Sequence, residues 1–166
     1  MIKQSDPHKR GRASRTKGKN AELELMHILR DFYGYPVRRG KVFYHESDVV
    51  GLPGIHIEVK RREPMALRDA MAQAVREARI REDGVPTVFA RADRRPWIVC
   101  SLYNDLARMA PPLACMRVDE LKVMRDPYDT PTMYQRIKVE GQPLCVLDLE
   151  TWMDLYGAWK EGTGDG

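Results

Sequence analysis

Three ionisable side chains, Asp48, Glu58 and Lys60, stand in or at the ends of strongly apolar segments of this chain. Ile55-His56-Ile57-Glu58-Val59-Lys60 alternates, so an extended strand projects Ile55, Ile57 and Val59 one way and His56, Glu58 and Lys60 the other. Asp48 lies in Asp48-Val49-Val50, ahead of a turn built from Gly51, Pro53 and Gly54, and a hairpin-like pairing carries it to the face of Glu58. Two carboxylates converging on one spot repel each other, and a hard divalent cation relieves the repulsion. Mg²⁺ suits such a place because it takes oxygen ligands and keeps waters for chemistry. A neighbouring ammonium orients a water or steadies charge on a phosphate in the transition state. That set is the minimum needed to hydrolyse a phosphodiester with a metal-activated water. A bare Glu-x-Lys would read as an ordinary ion pair on a half-exposed strand; Asp48 tips the balance towards chemistry.

Glu22 adds to the set. At helical spacing it shares a stripe with Leu25, Met26 and Leu29 and faces inward, where a carboxylate is costly unless paired or bound to a cation. It is a candidate further ligand of the metal or of its water; the plainer alternative is a first-turn acid favoured by the helix dipole. Glu24 lines up with His27, Ile28 and Asp31 and is expected in solvent. His56 can touch water or nucleic acid beside the site, or be a simple polar residue at a strand start. His45 and Glu46 stand in the loop before Asp48, with either a supporting role or none. Tyr33, Tyr35, Arg38, Arg39 and Lys41 interleave aromatics with cations that can neutralise phosphates.

The elements that must position these residues are legible in outline. A helix is predicted over Asn20–Tyr33, closed by Gly34, then an extended segment at 35–39 and a loop at 41–47. Strands follow at 48–50 and 55–60. A second helix is predicted from near Pro64 to about Asp83, with Leu67, Ala70, Met71, Ala74 and Ala78 buried and Arg68, Arg76, Arg79 and Arg81 facing elsewhere. Strands at 85–90 and 97–100 complete an α-β-β-α-β-β order, so helices flank a central mixed sheet in an α/β fold. Beyond it come a short helix at 102–109 broken by Pro111 and Pro112, a loop at 126–131, and a hairpin of 133–139 with 144–147. A last helix presents Leu149, Trp152, Met153, Tyr156 and Trp159 on one face.

The 166 residues, 43% hydrophobic and 31% charged, suit a single soluble domain with a real core. No apolar run is long enough to span a bilayer and no secretory signal is seen, so a cytoplasmic protein with no membrane partner is expected. Cys100, Cys115 and Cys145 lack zinc-ligand spacing and read as reduced thiols. Charge is lopsided. Residues 1–19 carry Lys3, Lys9, Arg10, Arg12, Arg15, Lys17 and Lys19 against Asp6, a surplus of +6 that leaves −2 for the rest of a +4 chain. A basic arm on a near-neutral body suits a polyanion, nucleic acid before membrane; a solvated tail that aids solubility is the bland alternative.

Taken together these residues resemble the PD-(D/E)xK nuclease superfamily, and most of all the small Holliday junction resolvases of the archaeal type and their phage-encoded relatives. Gly18-Lys19-Asn20-Ala21-Glu22 is similar to the family's G-x-x-x-E helix start, Asp48 to its first acid, and Glu58-Val59-Lys60 to its E-V-K. Gln73, in Ala70-Met71-Ala72-Gln73-Ala74, resembles the glutamine of its next helix, and 147–156 resembles the phage form's C-terminal segment. Ser47 stands where the superfamily name has Pro, and 102–145 has no counterpart in the short phage proteins.

The resemblance implies a restriction-endonuclease-like core and a Mg²⁺- or Mn²⁺-dependent endodeoxyribonuclease. Its metal ligands would be Asp48, Glu58, the Val59 carbonyl and Glu22, with Lys60 and Gln73 completing the catalytic set. It further implies a homodimer making paired nicks in four-way DNA junctions, in a bacterial or phage-infected cell. Expected DNA contacts are Arg10, Arg12, Arg15, Lys17, Lys19, Arg38, Arg39 and Lys41. The expected layout is a flexible basic arm at 1–18, one nuclease domain at 19–160 with an insertion at about 102–145, and a flexible tail at 161–166. Two other readings stay open: a nicking or restriction-like nuclease on other DNA, and a DNA-binding protein without catalysis.

Overall fold

The computed structural model describes residues 7–61, 66–109 and 132–164. In chain order the elements are α1 (Pro7–Tyr33), β1 (Arg38–Arg39), a short 3-10 turn (Val42–Tyr44), β2 (Val49–Val50), β3 (Ile55–Lys60), α2 (Leu67–Arg81), β4 (Val85–Ala90), β5 (Ile98–Leu102), α3 (Tyr103–Met109), β6 (Thr132–Val139), β7 (Gln142–Asp148) and α4 (Leu149–Thr163). The strands form one seven-stranded mixed sheet in the order β1-β2-β3-β4-β5-β7-β6. Only β3 and β4 run parallel, as they must when a crossover helix, α2, joins neighbouring strands. The other pairs are antiparallel. This is the α/β class with a central mixed sheet and flanking helices that the element order calls for.

Each face of the sheet is closed by helices. On one, Ala21, Leu25 and Leu29 of α1 and Trp152, Met153 and Tyr156 of α4 pack with Ile55, Ile57, Val59 and Phe89. On the other, Leu67, Ala70, Met71, Ala74 and Val75 of α2 cover Val88, Ala90, Ile98, Cys100 and Val146. Cys145 faces the first core and Cys100 the second; burial pushes the Cys145 thiol up to about 12. The Asp148 carboxylate caps α4, accepting from the Thr151 backbone N–H at 2.8 Å and its hydroxyl at 2.7 Å. At the end of α2 the chain turns against the β2–β3 turn so tightly that a Cβ on Gly84, whose φ is +134°, would sit 2.5 Å from the Gly54 carbonyl. Glycine is required there.

Several boundaries differ from the sequence expectation. The first helix begins at Pro7, not Asn20, so the basic segment is helical for most of its length. Its polar, Lys- and Arg-rich part has no apolar stripe to announce a helix, and it extends the packed part by continuing the backbone ladder. The last helix runs on to Thr163, with Gly164 in the left-handed region at φ +74°. The hairpin at the end of the stretch read as an insertion belongs to the main sheet: β7 pairs with β5 from Ile98↔Asp148 to Leu102↔Leu144. Residues 1–6, Pro64, Pro111, Pro112, Cys115 and the loop expected at 126–131 lie outside the described residues. Among the described residues no helix is long and apolar enough to cross a membrane.

Candidate active site

The alternation of β3 is realised as expected, but His56 and Glu58 on its polar face are buried as deeply as its apolar residues, because α2 lies over them, and only Lys60 at the strand end is half-buried. Glu58 is 3% exposed and receives a hydrogen bond from the Lys60 ammonium. Lys60 also donates to the Gln73 side-chain oxygen at 3.2 Å, and the Gln73 amide donates to Glu77 Oε1 at 3.0 Å. Gln73 and Glu77 are four apart on α2 and so share a face. Asp48 arrives from the edge of β2, where its backbone N–H bonds the Ile57 carbonyl at 3.2 Å. Its Oδ2 accepts the Val59 N–H at 2.7 Å. Asp48, Glu58, Lys60 and Gln73 are thus brought to one neighbourhood.

The electrostatics of that neighbourhood are unbalanced. Burial, then the Glu58 charge, pushes the Asp48 carboxyl up to about 7, with Glu22 adding to the rise and the Val59 N–H and Lys60 opposing it. Burial also raises Glu58, against the pull of Lys60. Glu22 lies near enough for its field to act on Asp48, yet its own carboxylate is paired with Arg39. Among the described residues, Glu22, Asp48 and Glu58 do not bring three ligand atoms within 4.8 Å of one another; His56, Glu58 and Glu77 do.

The expected DNA-contacting cations fall into two groups. Arg15, Lys19 and Lys41 are exposed. Three others are engaged within the chain: Lys17 with Asp93 at 2.6 Å, Arg38 with both Glu46 oxygens at 2.7 Å, and Arg39 with Glu22. Arg38, helped by the Lys41 N–H, holds the Glu46 carboxyl down at about 2. The side chains of Arg10 and Arg12 lie outside the described residues. Glu24, expected in solvent, is instead paired with Arg91 and accepts the Trp97 indole N–H at 3.2 Å. Those partners lie about seventy residues away in sequence, where helical periodicity has no reach.

The structure also gives His56 its surroundings, and brings in Ser47, Glu77 and Asp83, which the sequence pattern did not mark for chemistry. His56 is fully buried, with Nδ1 2.7 Å from Asp83 Oδ1 and 2.9 Å from Ser47 Oγ, while Ser47 donates to Asp83 Oδ2 at 2.8 Å. Glu77 was findable from its four-residue spacing to Gln73. Asp83 and Ser47 carried no signal, being joined only by the fold.

The chain matches no protein-family model and no curated protein. Among solved structures it is similar to Hjc, a Holliday junction resolvase from the archaeal hyperthermophile Archaeoglobus fulgidus. Identity is 19% over 85% of this chain and 88% of that one, with a TM-score of 0.38.

Proposed function

We propose that this chain is a divalent-metal-dependent endodeoxyribonuclease whose reacting centre is Asp48, Glu58 and Lys60, with Gln73 as a positioning residue. The observation that carries it is the half-buried Asp48 within the field of buried Glu58 beside a lysine, with burial and that charge raising the Asp48 carboxyl to about 7. Lys60 and Arg39 pair with Glu58 and Glu22, and Arg81 adds its field at Glu58, yet burial still holds the Asp48 and Glu58 carboxyls above their ordinary values; the donor set suits a further positive charge of the hard, oxygen-seeking kind. Mg²⁺ or Mn²⁺ would be held by Asp48 and Glu58, with the Val59 carbonyl and Glu22 as further oxygen donors. When bound, such an ion supplies a water acidified towards neutrality and a Lewis acid for the phosphoryl oxygen.

The chain's own residues account for the rest. Glu58 and Gln73 hold the Lys60 ammonium at the edge of the site, partly open to solvent, where it can donate to a phosphate oxygen as charge builds there. The Asp48 carboxyl, raised to about 7, would have to be ionised to act as a ligand. The exposed Arg15 and Lys19 on α1, the helix of Glu22, can neutralise backbone phosphates. Four-way junctions are the proposed substrate on the strength of the sequence pattern running from Gly18 to Gln73. Paired nicks across a junction need two sites, hence a homodimer.

The test is cleavage of a labelled four-way junction with Mg²⁺, beside linear duplex, flap and single-stranded DNA of matching sequence. Symmetrical nicks in the junction alone are expected, with cleavage lost and binding retained in Asp48→Asn. Linear or flap DNA cut at least as fast would keep the nuclease and discard the junction. Unchanged cleavage by Asp48→Asn would remove Asp48 from the site. Tight binding without cleavage of any substrate would leave a DNA-binding protein.

A further inference from the structure

His56 is idle in the chemistry above, yet its surroundings are those of a ligand. The ring is fully buried in the middle of the sheet. Asp83 lies on Nδ1, and because an ionised carboxylate can only accept, Nδ1 carries the proton. Ser47 consolidates this by sending its own hydroxyl proton to the second Asp83 oxygen. The neutral ring then has its lone pair on Nε2, and Nε2 is a buried polar atom with no hydrogen-bond partner. An imidazolium would place an N–H there, and it too would lack an acceptor. A carboxylate fixing one imidazole nitrogen so that the other can bind is how metal-ligating histidines are commonly oriented.

The ring is not isolated. A ring nitrogen of His56 and one carboxylate oxygen each of Glu58 and Glu77 lie within 4.8 Å of one another. Atoms each about 2.1 Å from a shared ion stand at most about 4.2 Å apart, so small side-chain rotations close the set. Glu58 has two oxygens and can give one to Lys60 and the other to this side. Glu77 meets Arg81 at 3.3 Å and the Gln73 amide at 3.0 Å, which places its carboxylate without using all its lone pairs. A cleft of about 690 Å³, lined by Ser47, Arg76, Glu77, Arg81 and Asp83 among others, opens to solvent beside the cluster and offers a way in.

We propose that His56, Glu58 and Glu77 form a second cation site, selective for a borderline transition ion such as Co²⁺ or Zn²⁺ over Mg²⁺, with Asp83 as its positioning residue. One imidazole with two carboxylates is a donor set for such ions, whereas Mg²⁺ prefers oxygen throughout. The site shares Glu58 with the proposed reacting centre but requires nothing of Asp48 or of the substrate.

The test is titration of the full, metal-stripped chain with Co²⁺, followed by visible ligand-field absorption and calorimetry, with Mn²⁺ spin-echo spectroscopy to detect imidazole nitrogen. Parent, Glu77→Gln, Asp83→Asn and Asp48→Asn are compared after thermal melting has established that each folds. Saturable binding with a nitrogen signature is expected in the parent. Affinity should fall at least tenfold in Glu77→Gln and about 10–100-fold in Asp83→Asn. Asp48→Asn should keep the nitrogen signature. A parent without nitrogen ligation would overturn the site, as would unchanged affinity in folded Glu77→Gln and Asp83→Asn. So would binding that Asp48→Asn abolishes and Glu77→Gln retains. Mg²⁺-dependent cleavage by the parent and its loss in Asp48→Asn are read separately, so either idea can fail without the other.

Discussion

The two faces of β3 are buried to nearly the same depth and stabilised in opposite ways. Ile55, Ile57 and Val59 lie in a core of apolar side chains from α1 and α4, where every contact favours the folded state. His56, Glu58 and Lys60 face α2 with a carboxyl raised by its burial, an ammonium shared between two acceptors and an imidazole nitrogen without a partner. Burial by itself therefore does not mark a core. The second face keeps a set of groups whose desolvation costs free energy, which the Lys60–Glu58 and His56–Asp83 contacts offset in part and a cation bound as proposed would offset further. Chemistry is expected on the face that folds at a loss.

Substitutions on the two faces should move stability in opposite directions. Ile57→Ala removes a fully buried side chain and should destabilise the chain by about 2–5 kcal/mol in urea unfolding. Asp48→Asn, read without metal at pH 8, should instead stabilise it by about 1–3 kcal/mol, because a carboxylate repelled by Glu58 is replaced by a neutral isostere. Equal destabilisation by both would erase the distinction between the faces.

Catalysis should depend on the polar face alone. Lys60→Met keeps the length of the side chain and removes its charge, and turnover should drop about 10²–10³-fold, with a lowered melting temperature because buried Glu58 loses its paired cation. A Lys60→Met chain that cleaves DNA at the parent rate would reduce the lysine to a structural partner of Glu58.

The smallest effect expected is on pH dependence. The folded Asp48 carboxyl, near 7, holds its proton more tightly than the unfolded one at 3.8. Its contribution to the stability of the metal-free chain is therefore greatest in acid and is lost as pH rises from about 4 to about 7. Mg²⁺ held by Asp48 as proposed would compete with the same proton, so its affinity should weaken by up to about tenfold per pH unit below 7 and level off above. Calorimetric titration between pH 5.5 and 8 checks this. A flat profile would mean that Asp48 is ionised throughout.

What was legible in the sequence was whatever repeats at short range. The two-residue alternation of 55–60 and the four-residue stripe of α2 and α4 follow from backbone geometry, so strands, helices and the shared face of Glu58 and Lys60 could be read directly. Asp48 was within reach because one short turn links it to β3. The start of α1 at Pro7 was not, since an exposed polar helix leaves no apolar period. Nor were Arg39 on Glu22, Arg91 and Trp97 on Glu24, or Asp83 and Ser47 on His56.

By itself, then, the sequence determined the α/β class, the polarity of each strand face and the candidate acids, because local periodicity decides which side chains point together. Tertiary structure decided which of those groups are buried, which cations are already engaged, and which nitrogen lacks a partner. Those properties depend on residues from separate elements meeting across the sheet: α2 over β3, α1 against β1, and the end of α2 against the β2–β3 turn. Charge compensation and desolvation are set by whatever lies within a few ångströms in space, and distance along the chain carries almost no information about that.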